Sequence, residues 1–129
     1  MFKASCQCKA VQFQIEGKLT SPFYCHCETC RKTAGTVPMA WAVAKISDIK
    51  NLQQGEVGKY PSGKGLRCFC QQCGSPVWYE SHENDKIWGI PLGVLDSGNI
   101  PAPKKHIWMS SNPDWCEVND QLPKYPENA

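Results

Sequence analysis

Apolar and polar residues alternate over short stretches of this chain. In the run VQFQI, Val11, Phe13 and Ile15 are apolar, and the two glutamines between them are polar. Because successive side chains of a strand point to opposite faces of a sheet, residues 11–15 are predicted to form a half-buried β-strand. Further short strands are predicted at residues 22–26, 39–43, 65–69, 76–79, 86–90 and 106–108.

Only one segment favours a helix. One or two helical turns are predicted at Glu28–Ala34, and Gly35 is placed to end them. Elsewhere ten glycines and ten prolines interrupt the chain, and the tail from Asn112 is predicted to wrap the surface in extended form. The sequence therefore predicts an all-β fold of small antiparallel sheets, with at most one or two short helical turns.

Length and charge narrow the class of protein. The 129 residues are expected to form a single domain, residues 1–129, with a core of its own. A net charge of +2 gives no footprint for nucleic acid. The N-terminal residues MFKASCQC lack the apolar core of a signal peptide, and the longest apolar run, residues 39–44, is too short to span a bilayer. We expect a soluble, cytoplasmic protein with no nucleic-acid or membrane partner.

Nine cysteines are the main chemical signal. A disulfide framework needs an oxidising compartment, favours an even count and usually serves chains too small for a core, so metal thiolates are the favoured explanation. Eight of the nine cysteines fall into three tight groups: Cys6 and Cys8; Cys25, Cys27 and Cys30; Cys68, Cys70 and Cys73.

Two of these groups can supply a closed zinc site. The run FCQQCGS is a C-x-x-C knuckle followed by Gly74, which can adopt the positive φ that the turn requires. The run SCQCKA can supply a second pair of cysteines from the N-terminal strand. A structural zinc site with four cysteines, which ties the start of the chain to its middle, is predicted at Cys6, Cys8, Cys70 and Cys73.

The run YCHCETCR leaves three cysteines without a fourth. Three protein ligands with one open position are the stoichiometry of a catalytic zinc, so Cys25, Cys27 and Cys30 are predicted to hold a reactive metal. A thiol is a natural occupant of the open position, because zinc lowers its pKa. Arg31 and Lys32 either favour anions at this site or form a solvated helix face.

The remaining cysteines and histidines have less specific interpretations. In an extended segment His26 points away from its cysteine neighbours, which favours packing or a hydrogen bond behind the ligands over ligation. His106 is either a proton carrier or a structural residue. Cys68 is a spare ligand or a partly buried thiol, and Cys116 is predicted to be a small core residue.

The ordered motifs resemble a known family. An N-terminal C-x-C, then CHCETCR, FCQQCGS, PLGVLD, HIW and LPKYP, resemble the glutathione-dependent formaldehyde-activating enzymes, a family that also includes centromere protein V. The likeness runs from about residue 5 to residue 126. One departure is Lys9, since the family usually has glycine directly after the second cysteine; the difference bears on the local turn and removes no ligand.

The resemblance implies a fold and a reaction. The fold is one of small antiparallel sheets around zinc, sometimes called a β-tent, with two zinc ions. The motifs match the structural ligands at Cys6, Cys8, Cys70 and Cys73, and the catalytic set at Cys25, Cys27 and Cys30. The implied reaction adds the thiol of glutathione to formaldehyde to give S-(hydroxymethyl)glutathione, and the enzymes are classed as carbon–sulfur lyases from the reverse direction.

Two hypotheses of different classes follow. The first is a zinc-dependent lyase that acts on a small thiol, such as glutathione, and an aldehyde. The alternative is a non-catalytic zinc module for a protein partner, which predicts an exposed apolar patch and no cleft at residues 25–30. A third interpretation makes both cysteine runs redox or metal-buffering sites, with rapidly exchanging metal.

Overall fold

The computed structural model of the chain describes residues 1–128, which form eleven β-strands, one α-helix and three short 3₁₀ helices. The helix, α1, spans Glu28–Ala34, and the 3₁₀ helices span Ile46–Asp48, Leu92–Val94 and Met109–Ser111. The strands are β1 (Phe2–Ser5), β2 (Gln12–Ile15), β3 (Thr20–Cys25), β4 (Met39–Lys45), β5 (Ile49–Gln53), β6 (Val57–Ser62), β7 (Gly65–Cys70), β8 (Pro76–Ser81), β9 (Ile87–Pro91), β10 (Leu95–Ser97) and β11 (His106–Ile107). Within the described residues no helix has the length and apolarity needed to cross a bilayer.

The strands form two sheets. A four-stranded sheet has the order β10-β1-β2-β5, and a seven-stranded sheet has the order β11-β3-β4-β9-β8-β7-β6. Paired strands in residues 1–128 are antiparallel, except that β11 runs parallel to β3. The predicted fold of small antiparallel sheets is therefore confirmed.

Aromatic packing joins the two sheets. Phe13 of β2 meets the rings of Trp78 and Trp88 edge-on, with centroids 5.8 and 6.2 Å apart. The two tryptophans, on the neighbouring strands β8 and β9, stack with their centroids 4.1 Å apart. Offset and edge-to-face contacts of this kind are favourable, so these rings anchor the main core. A second, smaller core contains Cys25, Cys30, Met39, Trp41 and Ile107.

Each of the seven predicted strands is present, with its bounds shifted by one or two residues. The last of them ends at Ile107, because Trp108 has a φ of 59° and starts a 3₁₀ helix. Strands β1, β5, β6 and β10 were not among the seven. In β6, Gly58 and Pro61 both weaken the sequence signal for a strand. Proline is tolerated there because β6 is the edge strand of its sheet, and Gly58 leaves room for a ring, since a Cβ would lie 2.5 Å from Phe69.

The predicted helix is confirmed, and a cysteine begins it. Cys27 is the N-cap residue, and its sulfur accepts a hydrogen bond from the Cys30 amide at 3.3 Å. Gly35 ends the helix with a φ of 72° and donates its amide to the Arg31 carbonyl at 2.9 Å. Local chemistry at both ends therefore explains why this short helix forms where it does.

The C-terminal tail runs in extended form beside β11. The His106 amide donates to the Pro123 carbonyl, and the Tyr125 amide donates back to the His106 carbonyl, each at 2.9 Å. The Trp108 amide donates to the Glu127 carbonyl at 3.0 Å. The tail thereby covers the free edge of β11 and reaches the region of the second core.

Candidate metal centres and active-site cleft

Cluster A, which consists of Cys6, Cys8, Cys70 and Cys73, brings four sulfur atoms within 4.8 Å of one another. The Cys8 sulfur lies 3.7 Å from that of Cys6 and 3.8 Å from that of Cys70. Sulfurs placed about 2.3 Å from a zinc ion at the corners of a tetrahedron are about 3.8 Å apart. Cluster A can therefore bind a metal ion, and its sulfur spacing fits tetrahedral zinc.

Two tight turns form cluster A. The first follows β1 and contains Cys6 and Cys8. The sequence had suggested that these two cysteines lie on the N-terminal strand itself. The second turn follows β7, where the Gly74 amide donates to the Cys70 carbonyl at 2.7 Å and Gly74 has the expected positive φ of 83°. Each turn presents two sulfurs at the end of a strand, and this arrangement makes the pairing possible.

Ser75 connects the two turns, a role that the sequence did not reveal. Its hydroxyl oxygen accepts the Gln7 amide at 3.0 Å and lies 3.2 Å from the Cys73 sulfur. The hydrogen bond from the Ser75 hydroxyl, together with backbone N–H groups, lowers the pKa of Cys73 to about 5. A thiolate is the form of cysteine that binds metal, so Ser75 favours the ligand form of Cys73.

The first turn shows why glycine would suit the position of Lys9. Lys9 has a φ of 66°, the left-handed conformation that glycine adopts without strain, and its amide donates to the Cys6 carbonyl at 3.1 Å. The turn therefore forms here with a strained residue that carries a side chain.

We expect Lys9→Gly to raise the free energy of unfolding by about 0.5–1 kcal/mol, because it removes the left-handed strain and loses only part of that gain to the entropy of the unfolded chain. The measurement is chemical denaturation of the metal-loaded protein. Lys18→Gly is the matched control at an exposed loop lysine outside the positive-φ residues, and it should destabilise. A loss of stability in both variants would contradict this explanation.

Cluster B, which consists of Cys25, Cys27 and Cys30, is also compact, with its sulfurs within 4.8 Å of one another. Cys25 ends β3, Cys27 caps α1 and Cys30 lies inside that helix. Cys25 and Cys30 are buried, whereas Cys27 is partly exposed. Among residues 1–128, no histidine, aspartate, glutamate or further cysteine joins the three sulfurs. Cluster B can therefore bind a metal ion through three protein ligands.

Cys27 is the cysteine of cluster B whose pKa is lowered. Hydrogen bonds from Cys25 and from Cys30 hold the pKa of Cys27 well below its ordinary value, and the Arg67 guanidinium contributes. The same hydrogen bond to Cys27 raises the pKa of Cys25. The most exposed of the three cysteines is thus the one that most readily becomes a thiolate.

A cleft of about 320 Å³ opens over cluster B. This volume lies within the range of small-molecule sites. Aromatic and aliphatic side chains form most of its walls, with Asn128 at one side. The walls include Phe23, Trp41, Val43, Tyr79, Ile87, Ile107 and Trp108. Three larger hollows of the described surface are lined by none of the seven cluster cysteines, whereas the cleft over cluster B has reactive groups at its base.

Arg67 is the cation of the cleft, and it was missed from the sequence. It lies on β7, and its Nη2 donates to the Cys30 sulfur at 3.5 Å. The predicted cations lie elsewhere: Lys32 is on an exposed helix face beside Glu28, and neither Lys32 nor Arg31 lines the cleft. The alternation of side chains along β7 could have pointed to Arg67, because it places this residue on the opposite face of the strand from Cys68 and Cys70.

A buried chain of hydrogen bonds lies behind cluster B. His26 is fully buried, and its ring nitrogens lie 2.7 Å from Asn112 Oδ1 and 2.8 Å from His106 Nδ1. His106 Nε2 lies 2.8 Å from Asp120 Oδ2. Burial lowers the pKa of His26. Neither histidine lines the cleft. Their hydrogen bonds instead connect the tail, through Asn112 and Asp120, to the segment that carries the cysteines of cluster B.

The hydrogen bond from His106 holds the pKa of Asp120 below its ordinary value. This contact therefore stabilises the docked tail above about pH 4, the unfolded pKa of aspartate, and is lost as the pH falls through the lower folded value.

We expect Asp120→Asn to speed hydrogen exchange at the Trp108 and Tyr125 amides at neutral pH. Asp114→Asn, at an exposed position of the same tail, is the control, and equal protection in both variants would contradict the assignment.

The two remaining cysteines lie outside both clusters. Cys68 is 1% exposed, and its sulfur lies 3.4 Å from Glu80 Oε2; burial raises its pKa to about 12, so it stays a thiol. Cys116 is only partly buried, with its sulfur 3.8 Å from the Val37 carbonyl, and the prediction of a core residue there was wrong.

Comparison with known proteins places this arrangement in a family. Residues 1–111, which contain both clusters, match the family model described as glutathione-dependent formaldehyde-activating enzyme. A protein of Schizosaccharomyces pombe (strain 972) named as an uncharacterized lyase is 32% identical over 82 residues. The matched region is 60% of this chain and 56% of that relative, so the chain spans little more than half of it.

A solved structure supports the fold. The crystal structure of a Rhodobacter sphaeroides protein aligns with a TM-score of 0.61 and 23% identity. The alignment covers 78% of this chain and 97% of the other, and at this identity it shows a shared fold alone. The family model, which matches most of the chain, goes further: the chain belongs to the glutathione-dependent formaldehyde-activating enzyme family.

Proposed function

We propose that this protein is a zinc-dependent carbon–sulfur lyase that acts on thiol–aldehyde adducts such as S-(hydroxymethyl)glutathione. The observation that carries the proposal is cluster B itself, three sulfurs at the base of a cleft of about 320 Å³. Family membership and a relative named as a lyase support the reaction class. A small thiol such as glutathione and an aldehyde are the proposed partners.

The two clusters are proposed to hold zinc in different ways. Cluster A supplies four thiolates, which complete a tetrahedron and leave no position for a substrate. Cluster B supplies three. When bound by cluster B, zinc supplies Lewis-acid chemistry, which lowers the pKa of a thiol and polarises a carbonyl oxygen. Cys25, Cys27 and Cys30 are accordingly the proposed catalytic residues, and Cys6, Cys8, Cys70 and Cys73 the structural ligands.

The reaction is the addition of a thiol to the carbonyl group of an aldehyde, or the reverse cleavage. In the direction of synthesis a bond forms between the thiol sulfur and the aldehyde carbon, and the carbonyl oxygen gains the proton that the thiol loses. In the lyase direction that carbon–sulfur bond breaks and the proton returns to sulfur. The barrier is modest, so bringing both reactants into one cleft is a large part of what catalysis requires.

Side chains of the cleft suit this reaction. Trp41 and Trp108 belong to largely apolar walls, which would displace water around a bound substrate and so strengthen electrostatic interactions within the cleft. Arg67 places a positive charge beside cluster B, where a thiolate is consumed or released. Burial raises the pKa of Tyr79, so its hydroxyl remains protonated at neutral pH.

The non-catalytic alternative predicts no cleft at residues 25–30. The cleft over cluster B therefore favours an enzyme. The third interpretation, a metal buffer, predicts rapidly exchanging metal, whereas the proposed lyase should retain about two tightly bound zinc ions per chain. Incubation with a chelator, followed by zinc analysis over time, distinguishes these two cases.

The direct test follows free formaldehyde after it is mixed with glutathione and zinc-loaded protein. We expect the approach to equilibrium to accelerate in proportion to the protein concentration, with the final equilibrium unchanged. Chelator-treated protein that has lost zinc from cluster B is the control. No acceleration with glutathione or with any other small thiol would refute the proposed function.

A further inference from the structure

Arg67 stands at the boundary between two clefts. The first is the cleft over cluster B, and the second, of about 290 Å³, lies on the side of Lys59, Tyr60 and Trp78. Arg67 and Trp41 line both. A molecule whose sulfur reaches cluster B therefore passes Arg67 if the rest of it extends into the second cleft.

The guanidinium of Arg67 is held in place and keeps unused donors. Arginine offers five N–H donors. Three of these are used, by Ser62 Oγ at 3.1 Å, Thr33 Oγ1 at 3.3 Å and Cys30 Sγ at 3.5 Å. The other two have no partner in the part of the chain that the structure describes. Because the side chain is already fixed, a ligand that binds these donors loses little further entropy.

Aromatic rings add to this placement. The guanidinium carbon lies 5.9 Å from the centroid of the Trp41 ring and 5.7 Å from that of Tyr79. These rings can stabilise the cation but cannot neutralise it. An anion therefore still meets a full positive charge at the unused N–H groups.

Arg67 is the only permanent cation among the described residues of this cleft, and the negative groups beside it are the sulfurs of cluster B. Among the described residues that line it, Arg67 is the only lysine, arginine, aspartate or glutamate. In the neighbouring cleft, the Lys59 amine is paired with the Glu80 carboxylate at 3.0 Å. An anion that enters this region therefore finds one cation that is not paired with a carboxylate of the described residues, 3.5 Å from a cluster B sulfur.

We propose that Arg67 is an anion-binding residue that selects thiols carrying a carboxylate a few bonds from the sulfur. A carboxylate oxygen accepts from a guanidinium at about 2.8 Å, so the carboxylate and a sulfur at cluster B are separated by only several ångströms. Short mercaptocarboxylates fit this spacing. The inference rests on the proposed function, because it assumes that cluster B is where the substrate thiol reacts.

The test compares two thiols of nearly equal size with formaldehyde. The probes are 3-mercaptopropionate, which carries a carboxylate, and 2-mercaptoethanol, which carries a neutral hydroxyl. We expect Arg67→Gln to lower the ratio of their kcat/KM values by roughly tenfold or more, since a hydrogen bond to a charged group is lost for one thiol only. Arg67→Lys should lower the ratio less, because it keeps the positive charge and loses only the planar pair of N–H donors.

Lys32→Gln is the matched control, since it removes a cation from α1 on an exposed face outside the cleft, and it should leave the ratio unchanged. A purely structural role for Arg67 would reduce the rates of both thiols equally, and that result would overturn the proposal. If Arg67→Gln does not fold, the decision rests on Arg67→Lys, for which an unchanged ratio would overturn it.

Binding measurements separate this proposal from the proposed function. Calorimetric titration of zinc-loaded protein with 3-mercaptopropionate should show binding that Arg67→Gln weakens roughly tenfold or more, with little change for 2-mercaptoethanol. If the parent protein accelerates neither these two reactions nor the reaction of glutathione or another small thiol, the proposed function fails, and selective binding would still support Arg67 as an anion site. Binding without such selectivity would remove the anion site, whatever the activity.

Discussion

Replacing Cys70 with serine should leave the chain largely unfolded under conditions in which the parent protein is native. Cys70 is fully buried and contributes to cluster A. Cluster A joins segments far apart in the chain, since Cys8 and Cys70 are separated by 62 positions. Structural zinc contributes on the order of 10 kcal/mol to folding, which is comparable to the whole stability of a domain. Circular dichroism and urea unfolding measure the loss.

Cys116→Ser is the matched control for this experiment. It also replaces a thiol with a hydroxyl, at a partly buried site outside both clusters, and should change the free energy of unfolding by less than about 1 kcal/mol. A Cys70→Ser protein that remains folded with its stability nearly intact would show that cluster A does not hold the fold together.

Replacing Cys27 with serine should abolish activity while the protein stays folded. Loss of one of three ligands removes Lewis-acid stabilisation worth several kcal/mol, so kcat/KM should fall by about 10³-fold. The fold should survive for two reasons. Serine is a preferred N-cap residue and can replace the Cys27 sulfur as acceptor for the Cys30 amide. Cluster B also closes only a short local segment, so its metal constrains the unfolded chain less than that of cluster A.

The measurement pairs the rate with glutathione and formaldehyde and a thermal melt of the same sample. Cys116→Ser should keep full activity, because its thiol lies outside both clusters. Equal stability losses in the Cys27→Ser and Cys70→Ser proteins would argue against separate roles for the two clusters, and retained activity in Cys27→Ser would exclude it as a catalytic residue.

Much of this architecture was readable from local patterns. Alternation over residues 11–15 predicted a strand now seen at Gln12–Ile15, and Gly35 correctly ended the one α-helix of the described residues. The cysteines could be sorted because ligand spacing is a local property: C-x-C and C-x-x-C motifs each place two sulfurs around one ion. The membership of both compact clusters was thus anticipated, whereas their metal and chemistry stay predictions.

What the sequence did not reveal depends on contacts between distant residues. Arg67 is 37 positions from Cys30, and only the pairing of β7 within the seven-stranded sheet brings it to the cleft. His26 lies 80 positions from His106. The positive φ of Lys9 could not be predicted either, because no local rule places a lysine in that conformation. The family resemblance drew attention to position 9, and the turn shows why glycine would suit it.

The most direct test of the account is the zinc content per folded chain of the parent protein and of Cys27→Ser. The parent should retain about two zinc ions after exhaustive dialysis, one for each cluster. Cys27→Ser should retain about one, remain folded and lose the catalysed rate. A parent that is fully active with a single ion at cluster A, or a Cys27→Ser protein with two ions and full activity, would contradict the assignment of the chemistry to Cys25, Cys27 and Cys30.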